Sequence, residues 1–123
     1  MPITFDRDPE RDLTTFTISV VVTFDEFIDV LNDYGRTGPT HKELYNAVDL
    51  KGKRFSRFDI EALTQYFRMH SDSRKPGSKT AVVVSAELDY GITRMISILT
   101  ETFVNFEVDV FRSVDEAVAW LNE

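Results

Sequence analysis

Residues 13–22 alternate in character. Phe16, Ile18, Val20 and Val22 fall on one side, and Thr15, Thr17, Ser19 and Val21 on the other. That period of two predicts a half-exposed strand. A shorter strand at residues 3–6 is expected to pair with it as a hairpin, across a polar stretch containing Pro9. The period then changes. Thr23 and Glu26 form a capping box, and Phe24, Phe27, Ile28 and Leu31 follow at helical spacing. Gly35, Gly38 and Pro39 are expected to end that helix.

Residues 44–50 (LYNAVDL) read as a third strand. Ser56 is placed to cap a second helix, with Asp59 in its first turn and a buried stripe of Ile60, Leu63 and Phe67. Residues 80–85 (TAVVVS) form the β-branched run of a central strand covered on both faces. A third helix carries Ile92, Met95, Ile96, Leu99 and Phe103 in register. Residues 107–112 alternate again as a strand. Ser113 and Glu116 make a second capping box, opening a last helix with Val114, Ala117, Val118 and Leu121 inward. The expected architecture is α/β, a mostly parallel five-stranded sheet with four helices in the order β-β-α-β-α-β-α-β-α. The first strand is the antiparallel exception at one edge. No linker or repeat divides the chain, so residues 1–123 are expected to form one domain.

Two local phrases match a known pattern. Residues 110–121 (VFRSVDEAVAWL) put a strand ending in Phe-Arg-Ser before a capped helix with Trp120 and Leu121. Residues 47–50 (AVDL) precede a short loop and a helix. Together with the element order, they resemble the SpoIIAA-like branch of the STAS superfamily, which also includes Sec14-like relatives. The resemblance implies a bacterial, cytoplasmic, non-enzymatic module that works through contact with a regulatory protein partner. A small-ligand or lipid-binding protein with a Sec14-like apolar pocket is the alternative. In anti-sigma factor antagonists of this superfamily, a Ser or Thr at the start of the second helix is phosphorylated within an Asp-Ser-Ser-Gly-like turn. Here Phe58 and Asp59 stand where the Ser pair would be, and the nearest hydroxyl is Ser56.

The charge is unevenly spread. The net charge is −7, which argues against nucleic acid as a general partner. Residues 1–50 carry four basic and ten acidic side chains, residues 51–79 eight and three, and residues 80–123 two and eight. The basic excess concentrates in residues 51–57 (KGKRFSR), where Lys51, Lys53, Arg54 and Arg57 fall within seven positions. In a parallel sheet this segment would follow the carboxyl end of a strand and lead into a helix N-terminus, a setting that suits an anion or an acidic partner. A solvated basic loop balancing an acidic body fits the same residues. Ser56 is likewise either a plain N-cap or a phosphorylation site.

Candidate chemistry is sparse. With no cysteine, disulfides and thiolate zinc sites are ruled out. His41 and His70 lack metal-ligand spacing. The chain has neither the glycine spacing of a Walker loop or dinucleotide fingerprint nor a Gly-x-Ser-x-Gly elbow, so no cofactor or serine nucleophile is expected. Glu87 and Asp89 could pair for acid–base work, but Asp89 serves equally well in opening the third helix. There is no apolar run of membrane-spanning length and no apolar core of a signal peptide, so a cytosolic protein without integral membrane association is expected. An exposed sheet edge also makes a homodimer plausible for so short an α/β chain. Replacing Ser56 by Ala is expected to cost about 1 kcal/mol through lost capping, measurable by urea unfolding.

Overall fold

The computed structural model describes residues 3–18, 24–48, 77–84 and 106–123. Among these residues five strands lie in sequence order: β1 (Ile3–Asp8), β2 (Leu13–Ile18), β3 (Lys42–Ala47), β4 (Ser78–Val84) and β5 (Phe106–Phe111). β1 pairs antiparallel with β2, and every later pair is parallel. The edge position and antiparallel sense of β1 match the sequence expectation. Among the described residues there are two helices, α1 (Phe24–Arg36) and α2 (Val114–Leu121). The expected second and third helices, and the Thr23 cap of α1, lie outside the described residues.

Period-two patterning sorts the strands onto two faces. One row runs Phe5, Phe16, Tyr45, Val82, Val110 across all five strands. α1 lays Phe27, Leu31 and Tyr34 over this face, and the three share a core with Phe16, Ile18, Tyr45 and Ala47. The rings pack directly. Phe16 stacks on Tyr45 at 4.4 Å between centroids and meets Tyr34 edge-on at 5.0 Å. The opposite face holds Leu44, Ala81 and Val83, covered by Ala117 and Leu121 of α2. β4 is therefore buried on both sides, as its β-branched run predicts.

The ends of α2 are fixed by named partners. The Ser113 hydroxyl accepts the Glu116 N–H at 3.2 Å, which is the predicted capping interaction. At the other end the ammonium of Lys79 donates to the carbonyls of Trp120 (3.0 Å) and Glu123 (3.4 Å) and lies 5.0 Å from the Trp120 ring centroid. Lys42, the register partner of Lys79, donates to the Asn122 side chain at 3.1 Å. These cations meet the negative end of the helix dipole. Trp120 packs on Phe111 and Lys79.

Several boundaries differ from expectation. β1 continues through Arg7 and Asp8, which the sequence pattern assigns to a turn. β3 starts two residues earlier than residue 44 and ends at Ala47, because the polar Lys42 and Glu43 extend the ladder. α1 runs past Gly35 to Arg36, and Gly38 takes the positive φ (86°) that ends the turn. The single tryptophan makes α2 docking directly readable. Leu121→Ala is expected to cost about 2–5 kcal/mol and Ser113→Ala about 1 kcal/mol, both measured by urea unfolding followed by Trp120 fluorescence.

Candidate functional site

The register of the parallel strands places Thr14, Glu43 and Thr80 side by side on β2, β3 and β4. They form the row next to Phe16, Tyr45 and Val82, on the α1 face. All three are buried, at 0 %, 3 % and 5 % exposure. A carboxylate in that position needs donors, since burying a charge without partners is very costly. Two come from neighbouring elements. The Tyr34 hydroxyl, reaching down from the last turn of α1, donates to Glu43 Oε2 at 2.7 Å. The Thr80 hydroxyl donates to Oε1 at 3.2 Å.

The network extends into the connection between α1 and β3. The Thr40 N–H donates to the Tyr34 oxygen at 2.9 Å. The Thr40 hydroxyl lies 2.8 Å from that of Thr14 and donates to the Lys42 carbonyl at 2.7 Å. Arg7 closes the structure from β1. Its guanidinium lies 4.9 Å from the Tyr34 ring centroid and donates to the carbonyls of Tyr34 (3.1 Å) and Gly38 (2.6 Å) and to the Thr37 hydroxyl. A cation thus sits at the carboxyl end of α1, where the helix dipole favours it. Burial, and then the Glu43 charge, push the Tyr34 hydroxyl up to about 12, so it stays a proton donor across the neutral range.

A second polar group lies at the same edge of the sheet. Asp12 adopts a left-handed backbone (φ 53°), which Asp tolerates better than most residues. Its carboxylate accepts the His41 N–H (3.2 Å) and contacts His41 Nδ1, while its carbonyl accepts the Lys42 N–H (3.0 Å). The hairpin turn therefore grips the start of β3. Among the described residues no group of three or more His, Asp or Glu side chains is placed to hold a metal ion. His41 serves this clamp.

Both clusters occupy the amino edge of the parallel strands. In open α/β sheets, ligands collect at the carboxyl edge. There the described residues include Val48, 37 % exposed, whose N–H is held by the Asn46 side chain at 3.3 Å. Exposed Arg112 and the capping Ser113 also lie there. β3 ends at this edge, and Lys51 follows three positions after Val48 in the sequence. Lys51, Lys53, Arg54, Ser56 and Arg57 lie outside the described residues, as do Glu87, Asp89 and His70. Sequence reasoning did not single out Tyr34, Glu43 or Asp12. The legible signal was the spacing of Phe27, Leu31 and Tyr34, which continues the buried stripe of α1 by one more turn.

Searches of family models and of curated proteins return no match. Among solved structures, the chain is similar to an uncharacterized protein of the DUF3478 family from Shewanella loihica PV-4, which has a SpoIIAA-like fold. The match has a TM-score of 0.63 at 18 % identity and covers 97 % of this chain and 91 % of that one. This chain has a SpoIIAA-like fold. At that identity the likeness concerns architecture alone. Among the described residues of this SpoIIAA-like domain, no helix is long and apolar enough to cross a membrane.

Tyr34→Phe takes a donor from the buried Glu43 carboxylate and is expected to cost about 1–3 kcal/mol at neutral pH. Because folding raises the Tyr34 pKa from 10.0 to about 12, its contribution is fully present below pH 10 and is lost as pH rises towards 12. Urea unfolding from neutral pH upwards should show the gap between wild type and Tyr34→Phe narrowing in that window. A gap that stays constant to pH 12 would contradict the assignment.

Proposed function

We propose that this SpoIIAA-like domain is a non-enzymatic regulatory module that binds an acidic protein surface through Lys51, Lys53, Arg54 and Arg57. The observation that carries the reading is the direction of β3. This central parallel strand ends at the carboxyl edge of the sheet, and the most basic segment of the chain follows it in sequence. The elaborate polar network of the described residues lies at the opposite edge, where its hydroxyls bond to one another, to Glu43 and to backbone. That network has the character of a structural lock. The division leaves the carboxyl edge as the side for recognition.

Electrostatics support the choice of partner. Residues 51–57 are basic in an otherwise acidic chain, so an acidic surface would be steered to that segment and repelled elsewhere. The packing on the α1 face weighs against the lipid alternative on that side. Phe5, Phe16, Phe27, Tyr34 and Tyr45 pack ring against ring between α1 and the sheet.

The test compares wild type with Lys53→Glu/Arg54→Glu, first shown to fold by circular dichroism, in a pull-down from source-cell lysate. A specific protein retained by wild type, lost by the variant and weakened by added salt is the expected result. If both baits retain nothing and native mass spectrometry finds a copurified small molecule on the wild type, the interaction reading fails and the ligand-binding alternative replaces it.

A further inference from the structure

The two edges of the sheet are finished differently. On β5 the Asp109 carboxylate lies over the Val110 N–H at 2.8 Å, so a side chain occupies a backbone donor of that strand. Among the described residues β1 has no such cover. It pairs with β2 on one side, and among the described residues no strand lies on its other side. Thr4 and Asp6 are exposed, and no hydrogen bond reaches the outer backbone groups of β1 from the rest of the described residues. Such an edge is a ready template for another strand.

The side chains of β1 restrict what that strand can be. On the α1 face an aromatic row runs Tyr45, Phe16, Phe5 across β3, β2 and β1 and stops at the edge. On the other face stand Thr4, Asp6 and Asp8. Antiparallel pairing of two identical edges in one continuous sheet requires a two-fold axis normal to the sheet, so residues on the same face meet. Centred on Asp6, this pairing would set two carboxylates opposite each other. Centred on Arg7, it would oppose two guanidinium groups and bring Asp6 against Asp8. Centred on Phe5, it places Phe5 against Phe5, Thr4 against Asp6 and Ile3 against Arg7. No like charges then stand directly opposite each other, the two Asp6 carboxylates fall on the longer diagonal, the aromatic row continues into the second copy, and each Asp6 carboxylate meets a Thr4 hydroxyl.

We propose that β1 is a homodimer edge, with two copies of this chain pairing antiparallel about Phe5 into a ten-stranded sheet. The inference goes beyond the partner-binding reading and uses none of residues 51–57, so either can fail alone. The shared strand is short, and the interface falls in the small, weak class. Association is therefore concentration-dependent.

Sedimentation velocity from roughly 1 μM to roughly 1 mM should show the mass of the wild type rising towards twice the monomer. The chain contains no cysteine, so introduced thiols are the sole cross-linking sites. Thr4→Cys/Asp6→Cys puts two thiols opposite each other across the axis, within disulfide reach. Thr4→Cys or Asp6→Cys alone leaves like thiols on the longer diagonal. Under mild oxidation the double variant should yield several-fold more covalent dimer than either single variant. Both positions are exposed, and circular dichroism checks that the variants fold. A wild type that stays monomeric at the highest concentration overturns the proposal. So does a dimer whose double variant cross-links no better than the single ones, because the contact then lies on another surface.

Discussion

The Glu43 carboxylate is buried near the start of the central strand β3, and the surrounding elements are arranged to make that tolerable. A charge there is stable only if donors converge on it. They come from the last turn of α1 and from β4, while Thr40 and Thr14 hold the tyrosine and the connecting loop in place. Shifting β3 by one residue would turn Glu43 to the α2 face and bring Lys42 or Leu44 into the polar row in its place. The network thus specifies register as well as position. The aromatic row beside it supplies apolar burial, and the polar row selects one alignment among those that burial alone would permit.

Much of the fold could be read from periodicity and capping, because both are local. The alternation of residues 13–18, the apolar run of β4 and the Ser113 cap each depend on neighbours a few positions away. The antiparallel first pair followed by parallel strands also came through, since alternating strands and helices leave few other arrangements. What was missed depends on distant contacts. Glu43 looks like a solvated residue at a strand entry until Thr80, thirty-seven positions later, is brought beside it. Arg7 looks like part of a turn until the end of α1 folds over it. Asp12 gives no sign of its left-handed backbone or its grip on residues 41 and 42.

The candidate site divides in the same way. The basic segment stands out because charge clustering can be counted along the chain, and the strand before it establishes which edge of the sheet it follows. The polar lock at the other edge could not be counted, because its members are scattered singly among Thr14, Tyr34, Thr40, Glu43 and Thr80. Composition therefore marks the basic segment, whereas the polar lock becomes visible only through the register of the strands. The two lysines that close α2 make the same point. Lys42 and Lys79 are unremarkable in sequence and become neighbours only through the parallel pairing of β3 and β4.

The grip of Asp12 on the start of β3 has a further consequence. A parallel strand pair cannot be closed by a tight turn, and its alignment must be found after a long excursion of the chain. Here the hairpin turn carries the acceptors that receive the incoming strand, so the local antiparallel pair acts as a jig for the first non-local one. The alignment of β2 with β3 is thus held by contacts at the amino edge. Segments beyond the carboxyl edge can then change in sequence without disturbing the contacts that align β2 with β3.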